Sequence, residues 1–149
     1  MKIRHKLVPS SYLIILENNK ILLSRRFNTG FQDGKYGLVA GHGEENESFK
    51  MTLVREAKEE INIDIDAEDL EVVHVLSRNE KLNPQEIRER IDIFFKPAKW
   101  RGEIKNMEPE KCDAIAWFPL SDLPENIIPY IKFVIENIKK NINYSEFGF

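Results

Sequence analysis

The stretch GHGEENESFKMTLVREAKEEINI, residues 41–63, carries six acidic and three basic residues. Three of the acids, Glu56, Glu59 and Glu60, are spaced i, i+3 and i+4, which places three carboxylates on one face of a helix. At about 4 Å, each like-charge pair repels by roughly 1 kcal/mol in water and about 4 kcal/mol near a protein surface. Mg²⁺ removes this repulsion, because it binds carboxylate oxygens and leaves positions for phosphate oxygens. The spacing therefore predicts a metal site.

The same stretch predicts the helix that carries these acids, over residues 48–61. Its apolar stripe contains Phe49, Leu53, Ala57 and Ile61 at i+4 spacing, and this stripe can face a core. Asn62 follows at the position where a left-handed residue commonly ends a helix, and asparagine tolerates that conformation.

The glycine and charged positions of this stretch resemble the Nudix box, G-x5-E-x7-R-E-U-x-E-E-x-G-U, in which U is a bulky apolar residue. The matching positions are Gly41, Glu47, Arg55, Glu56, Glu59 and Glu60. At average residue frequencies, a chance match of six such positions is on the order of 10⁻⁷ per start position. There are two departures, since Ala57 is smaller than the usual apolar residue and Asn62 replaces the closing glycine. Neither departure removes a carboxylate.

The resemblance covers essentially all of residues 1–149 as a single domain. It implies the Nudix fold, an α+β (α/β/α) sandwich whose mixed β-sheet has helices on both faces. Family members cleave a nucleoside diphosphate linked to another moiety with Mg²⁺ or Mn²⁺, so we expect a hydrolase of phosphorus-containing anhydrides. The first expected substrate is a nucleoside triphosphate, oxidised or not, cleaved to monophosphate and pyrophosphate. The alternatives are ADP-ribose, a nucleotide sugar, a CDP-alcohol, a dinucleoside polyphosphate, or a nucleotide-sensing module without turnover.

The remaining elements follow from hydrophobic patterning and turn signals. A hairpin is predicted from strands at 11–16 and 21–26 around a turn at 17–20. Further strands are expected at 36–39, 70–76, 88–95 and 114–118, with loops at 27–35, 41–46, 79–85 and 100–111. A final helix is predicted at 126–139.

The resemblance also assigns roles to the residues of the box. It implies that Glu56, Glu59 and Glu60 bind the metal, and that the main-chain carbonyl of Ala40 or Gly41 completes the set. Two further box residues, Arg55 and Glu47, are expected to pair and to orient the carboxylates. With Glu59, they form the box part of the predicted catalytic set.

The general base is expected in the loop at 100–111, which contains Glu103, Glu108 and Glu110. This loop resembles the one that supplies a late metal ligand or base in nucleotide-sanitising family members. Glu108 aligns best by its spacing from Trp100, so it is the predicted catalytic residue of the loop. The alternative for each of the three is a solvated carboxylate.

Substrate contacts are predicted at three positions outside the metal ligands. Arg26 is preferred to Arg25 as a phosphate ligand, because strand alternation directs only one of the two toward the cleft. His42 stands beside the box glycine and could touch phosphate, or lie exposed in its loop. The carboxamide of Asn126 could read a base, since it offers donor and acceptor together, or could act as the N-cap of the last helix.

Composition limits the other function classes. The net charge of −3 provides no general basic field, so nucleic acid is not expected as a partner. A small-molecule nucleotide is expected instead, with the chain a monomer or homodimer. RNA 5′-end processing stays open through the basic residues Lys96, Lys99, Arg101 and Lys105. Cys112 is the single cysteine and is interpreted as structural. With no signal sequence and no apolar run near the ~20 residues of a membrane span, a cytoplasmic location is expected.

Overall fold

A computed structural model describes residues 1–81 and 89–149. Most of the predicted loop at 79–85, and the first residue of the predicted strand at 88–95, lie outside the described residues. The described strands are β1 (Val8–Leu13), β2 (Leu16–Glu17), β3 (Lys20–Arg26), β4 (Tyr36–Gly37), β5 (Ala40–Gly41), β6 (Leu70–Asn79), β7 (Glu89–Pro97), β8 (Cys112–Pro119) and β9 (Tyr144–Phe147). The α-helices are α1 (Phe49–Ile61) and α2 (Pro129–Lys139), and Ala67–Asp69 form a 3-10 turn.

These strands form two sheets. The first has the order β5-β1-β7-β6-β9 and is mixed, because β1 runs parallel to β7 and β9 runs parallel to β6, whereas its other pairs are antiparallel. In the second, antiparallel sheet, β3 lies between β4 and β8 and also pairs with β2. The predicted mixed sheet and α+β class are confirmed.

Alternation along β1 places the two helices on opposite sides of the first sheet. Tyr12 belongs to the core cluster that contains Ile131 of α2, whereas the next residue, Leu13, belongs to the cluster that contains Leu53 of α1. Successive side chains of a strand point to opposite faces, so one strand serves both cores. Within the described ranges, no helix is both long and apolar enough to cross a membrane.

The N-terminal hairpin differs from the prediction. The expected strand at 11–16 is wrong, because β1 ends at Leu13 and the chain then crosses to the second sheet. At the crossing, the Ile14 N–H donates to the Phe95 carbonyl at 2.8 Å, and the Ile15 carbonyl accepts from the Leu22 N–H at 3.1 Å. The predicted turn is confirmed, with positive φ of 52° and 60° at Asn18 and Asn19, as a two-residue type I′ hairpin needs.

Helix α1 forms where it was expected. The Ser48 hydroxyl accepts from the Met51 N–H at 3.2 Å and caps the N-terminus. Asn62 has φ 66° and ψ 24°, so the predicted left-handed end is confirmed. Leu53, Ala57 and Ile61 are fully buried. Phe49 is 40% exposed, so the predicted stripe is wrong in the first turn and begins one turn later.

The C-terminal region also departs from the prediction. Helix α2 begins at Pro129 rather than at 126, because a proline fits the first helical turn and disfavours helical geometry in the residue before it. Asn126 is therefore not an N-cap. Strand β9 was not predicted from the sequence; it pairs with β6 at the edge of the first sheet and has Tyr144 exposed.

Candidate active site

Arg55 and Glu47 form the bidentate pair predicted from the box. Arg55 Nε lies 2.9 Å from Glu47 Oε2, and Arg55 Nη2 lies 3.0 Å from Glu47 Oε1. Glu47 Oε1 also accepts from the Thr52 hydroxyl at 2.8 Å and from the Glu44 backbone N–H at 3.1 Å. The hydrogen bonds from Arg55, Glu44 and Thr52 lower the pKa of Glu47 to about 2. Glu47 is thus a fixed anion that holds the Arg55 guanidinium in place.

The same guanidinium reaches two of the three helix carboxylates. Arg55 Nη1 lies 2.8 Å from Glu56 Oε1 and 3.3 Å from Glu59 Oε2. Its positive charge therefore offsets the repulsion between these two carboxylates.

Gly41 lies directly against Glu56. A Cβ atom added at Gly41 would stand 2.6 Å from Glu56 Cγ and 2.8 Å from both Cδ and Oε1. Only glycine therefore allows β5 to approach the carboxylate of Glu56 this closely. Burial raises the pKa of Glu56, and the hydrogen bond from Arg55 opposes that rise.

Glu60 is the most perturbed acid of the site. Burial raises its pKa to about 9, with smaller contributions from the charges of Glu56 and Glu108, while a backbone hydrogen bond from Ala40 acts in the opposite direction. Its Oε2 atom is buried and finds no hydrogen-bond partner among the described residues. A buried carboxylate oxygen without a donor is costly unless a cation binds it.

The loop at 100–111 brings Glu108 to these acids. The backbone N–H groups of Lys105 and Met107 donate to the carbonyls of Ile61 and Glu60 at 3.0 and 3.1 Å. These carbonyls belong to the last turn of α1, where carbonyl groups have no partners within the helix itself. Glu108 lies in the same cleft as Glu56 and Glu60.

The other two glutamates of this loop lie elsewhere. Glu103 and Glu110 are exposed, and the Glu103 carboxylate lies 3.9 Å from the Lys105 ammonium. Of the three candidate bases, geometry favours Glu108.

Two clefts meet beside these acids. The first, which we call the acid cleft, has a volume of about 280 Å³, and its wall includes Arg25, Arg26, Glu56, Glu59, Glu60 and Glu108. The second cleft has a volume of about 400 Å³, and its wall includes Tyr12, Arg26, Phe31, His42, Arg78 and Tyr130. Arg26 lies in both walls, so a substrate could place a phosphate beside Arg26 and extend into either cleft.

A β-bulge changes the expectation for the two arginines. The register between β3 and β8 shifts between Arg25 and Arg26, which pair with Ala114 and Cys112. A bulge re-aims side chains, and both arginines line the acid cleft, so the prediction that only one would face it is wrong. The Arg25 guanidinium is paired with Asp113 at 2.7 Å. Arg26 instead donates to the Phe31 carbonyl at 2.6 Å and the Thr29 hydroxyl at 3.1 Å.

Of the other two predicted substrate contacts, His42 lines a cleft and Asn126 does not. His42 Nδ1 is 3.2 Å from the Ser10 hydroxyl and 3.1 Å from the Pro9 carbonyl, and its ring lines the second cleft. The Asn126 side chain is exposed and donates to the Gly34 carbonyl at 2.9 Å. The structure therefore places Asn126 beside the loop at 27–35, outside the described walls of both clefts.

A buried ion pair at the wall of the second cleft was not predicted from the sequence. Arg78 Nε donates to Asp92 Oδ2 at 2.6 Å, and the guanidinium lies 3.8 Å from the centre of the Tyr130 ring. The Tyr130 hydroxyl is 3.1 Å from that of Tyr12. The sequence does show Arg78 and Asp92 each inside an apolar strand segment, which could have indicated a buried ion pair. Their pairing, however, depends on the register of β6 and β7.

The residues present suit a hard divalent cation. Three helix carboxylates and Glu108 line one cleft, and the buried Oε2 atom of Glu60, which accepts no hydrogen bond from the part of the chain that is described, can serve as an oxygen ligand. In residues 1–81 and 89–149, no three acidic, histidine or cysteine side chains are already gathered closely enough to hold an ion. Two of the carboxylates, Glu56 and Glu59, are bound to Arg55 instead.

The sequence model of the Nudix domain matches residues 7–137. The chain belongs to the Nudix family. A protein named NAD-capped RNA hydrolase NudC, from Pseudomonas aeruginosa (strain LESB58), is 31% identical over 119 residues, which are 80% of this chain and 38% of that protein. The protein of the same name from Pseudomonas putida (strain W619) is 29% identical over 119 residues, 80% of this chain and 39% of that protein. This chain thus spans about two-fifths of the length of these curated relatives.

Solved structures of Nudix proteins share the fold. The MutT Nudix hydrolase from Burkholderia pseudomallei has a TM-score of 0.78 at 22% identity, over 89% of this chain and 98% of that one. The Nudix domain of Shewanella oneidensis NrtR, complexed with ADP ribose, has a TM-score of 0.69 at 17% identity, over 92% and 89% of the two chains. The Nudix fold predicted from the box is confirmed.

Proposed function

We propose that this Nudix chain is a metal-dependent pyrophosphohydrolase that cleaves a nucleoside diphosphate linked to another moiety. A nucleoside triphosphate, oxidised or not, is the first proposed substrate, with monophosphate and pyrophosphate as products. The observation that carries the proposal is Glu60, whose buried Oε2 atom lies beside Glu56 and Glu108 and has no hydrogen-bond donor within residues 1–81 and 89–149.

The proposed ligands of Mg²⁺ or Mn²⁺ are Glu56, Glu59 and Glu60, together with the main-chain carbonyl of Ala40 or Gly41. When bound, such an ion neutralises phosphate charge and lowers the pKa of the attacking water. Without it, the carboxylates of this cleft would repel the pyrophosphate.

The side chains around these ligands have separate proposed roles. Arg55, fixed by Glu47, orients Glu56 and Glu59. The Glu108 carboxylate takes the proton of the attacking water, which the geometry supports because Glu108 alone of its loop's three glutamates lies in the described wall of the acid cleft.

Substrate binding is proposed to centre on Arg26. Its guanidinium lies where the two clefts meet and has no carboxylate partner in the described contacts, so it can bind a phosphate. His42 is proposed as a second contact, in the wall of the second cleft. Asn126 is proposed to act on base preference through the loop at 27–35, which it ties down at Gly34.

A second candidate is the hydrolysis of a dinucleotide such as NAD, free or as an RNA cap. Two observations favour it: the relatives named NAD-capped RNA hydrolase are 29% and 31% identical over 119 residues, and the two adjoining clefts offer room for two nucleotide halves. It differs from the first candidate in the moiety that lies beyond the pyrophosphate.

The deciding experiment is a substrate panel with product identification. Purified protein with Mg²⁺ is incubated with nucleoside triphosphates, 8-oxo-dGTP, ADP-ribose, nucleotide sugars, NAD, dinucleoside polyphosphates and NAD-capped RNA. We expect hydrolysis of at least one member, and no hydrolysis after a chelator removes the metal. If no member is turned over, the enzyme proposal is abandoned in favour of a nucleotide-sensing module. Products labelled from ¹⁸O-water show which phosphorus is attacked.

Gly41→Ala is expected to lower kcat by about 10²-fold, because its Cβ would displace the Glu56 carboxylate and a 1 Å misplacement can cost that much. The measurement is kcat together with Mg²⁺ affinity on a protein whose circular dichroism shows the wild-type fold. Gly43→Ala is the comparison, since a Cβ there would lie 3.3 Å from the Thr52 hydroxyl and touch no proposed ligand. Equal activity of the two variants would contradict the role of this approach.

A further inference from the structure

The turn that carries Glu108 is closed by one side chain, that of Asn106. Asn106 Oδ1 accepts from the Glu108 backbone N–H at 3.1 Å, and Asn106 Nδ2 donates to the Cys112 carbonyl at 2.6 Å. The Glu108 carbonyl accepts from the N–H groups of Lys111 and Cys112, both at 2.9 Å. One carboxamide therefore joins the start of the turn to the first residue of β8.

The approach to this turn is fixed on the other side by α1. Lys105 and Met107 donate their backbone N–H groups to the last turn of the helix, and Asn106 lies between them. The Asn106 side chain, rather than its backbone, makes the bridge to β8. With both anchors in place, the path of residues 105–112 is determined from the end of α1 to the start of β8.

Glu108 needs such support, because it faces like charges. Its charge raises the pKa of both Glu56 and Glu60, which means that each of these carboxylates also repels Glu108. The described counter-charge is Lys111, whose ammonium lies 3.8 Å away and is largely exposed. Unless the turn resists, repulsion would move Glu108 out of the acid cleft.

We propose that Asn106 is a positioning residue, which holds the Glu108 carboxylate in the acid cleft by bridging Glu108 and Cys112. This rests on the proposed function, since it presupposes that Glu108 takes part in hydrolysis. A carboxamide suits this role because its oxygen accepts from the N–H two residues on, as in an Asx turn, while its nitrogen donates across the turn.

The test compares Asn106→Ala, Asn106→Asp and Glu108→Gln on the best substrate of the panel. Asn106→Ala loses both hydrogen bonds, and we expect kcat to fall by about 10- to 100-fold with KM changed by less than about twofold. Asn106→Asp keeps the acceptor for the Glu108 N–H and is expected to retain more activity than Asn106→Ala. In the Glu108→Gln background, Asn106→Ala should cause no further loss, because both changes remove the same group from the cleft.

A second readout does not depend on activity. In Asn106→Ala, hydrogen exchange of the Lys111 and Cys112 amides is expected to accelerate by about tenfold or more, with the amides in the middle of α1 unchanged. Met107→Ala is the matched control, because it alters an exposed side chain of the same loop and keeps the backbone anchor. It should leave both kcat and exchange at wild-type values.

Three results would overturn the positioning role: unchanged exchange in Asn106→Ala, unchanged kcat, or losses that multiply in the double variant. A Glu108→Gln protein with full activity would also overturn it, while leaving the pyrophosphohydrolase proposal standing. A wild-type protein that hydrolyses no member of the panel would instead remove the proposed function itself, so the two failures are distinguishable.

Discussion

Glu60→Gln is expected to reduce turnover by about 10³-fold or more and, in the absence of divalent metal, to make the protein more stable. The loss of activity follows from losing a proposed metal ligand, since a bound ion contributes several kcal/mol to stabilising the transition state and each ~1.4 kcal/mol is a factor of ten. The gain in stability follows from replacing a buried carboxyl, whose Oε2 atom has no hydrogen-bond donor among the described residues, by a side chain that cannot ionise; a buried polar group without a partner costs about 1–3 kcal/mol.

The stability gain should depend on pH with a defined sign. The pKa of Glu60 is raised from 4.5 to about 9, mainly by burial, so the folded protein retains a proton that the unfolded chain releases. Folding stability is therefore lost as the pH rises from 4.5 toward 9. Glutamine does not titrate, so the advantage of Glu60→Gln should be largest near pH 9 and should vanish below pH 4.5.

The measurement is Tm in a chelator at several pH values, together with kcat in Mg²⁺. Each kcal/mol corresponds to about 2–4 °C for a chain of this size. Glu59→Gln is the matched variant, since its side chain is 52% exposed: it should lose activity without gaining stability. Glu103→Gln replaces a loop glutamate that is 81% exposed, and it should change neither kcat nor Tm. Near-full activity in Glu60→Gln would contradict the metal-site proposal. An unchanged Tm would mean that the Glu60 carboxylate has a hydrogen-bond partner.

Asp92→Ala is expected to destabilise the protein by about 3 kcal/mol, because removing one member of a buried pair leaves the other charge without its partner. Asp92 is fully buried, and its carboxylate accepts from Arg78 at 2.6 Å. Burial raises the pKa of Asp92 even beside this arginine, which shows how unfavourable the site is for an isolated charge. Arg78 would keep its ion pair with Glu80 and its contact with the Tyr130 ring, so the effect falls at the lower end for buried pairs.

Urea unfolding of Asp92→Ala measures this loss directly. Asp113→Ala is the control, because it also removes an aspartate 2.7 Å from an arginine, but in a solvent-exposed pair, where the loss should be clearly smaller than in Asp92→Ala. Replacing both members, as in Arg78→Met with Asp92→Leu, should recover much of the stability. Equal losses of stability in Asp92→Ala and Asp113→Ala would show that burial does not make the Arg78–Asp92 pair more costly to break.

The helix that carries the acids could be predicted from the sequence with nearly correct ends. Its signals are local: Ser48 before the helix, Asn62 after it, and an apolar stripe with the helical period between them. The start of α2 and the path of residues 11–16 could not be predicted in the same way. The start of α2 depends on Pro129, which the periodicity of the flanking isoleucines obscured. The path of residues 11–16 depends on a chain that passes from one sheet to the other, which a continuous run of apolar residues does not reveal.

The pairing of Arg55 with Glu47 was also accessible through the resemblance to the Nudix box, whose residues here belong to one helix and the loop that precedes it. The orientation of Arg25 and Arg26 could not be predicted, because side-chain alternation fails at a β-bulge and the bulge is visible only in the register of β3 with β8. The contact of Asn126 could not be predicted from the sequence either, since the turn before Pro129 directs its carboxamide to Gly34.

The family and the row of carboxylates on α1 could be read from the amino-acid sequence, because a spacing within one helix is a property of the chain alone. What these acids face depends on how distant segments pack. The sequence favoured Glu108 among three glutamates by its spacing from Trp100, but only the anchoring of the loop at 100–111 to the end of α1 brings it into the acid cleft. Only burial leaves the Glu60 Oε2 atom without a hydrogen-bond donor among the described residues. Contacts between distant segments, and the loss of water around a charge, follow from packing and leave no periodic signal in the sequence.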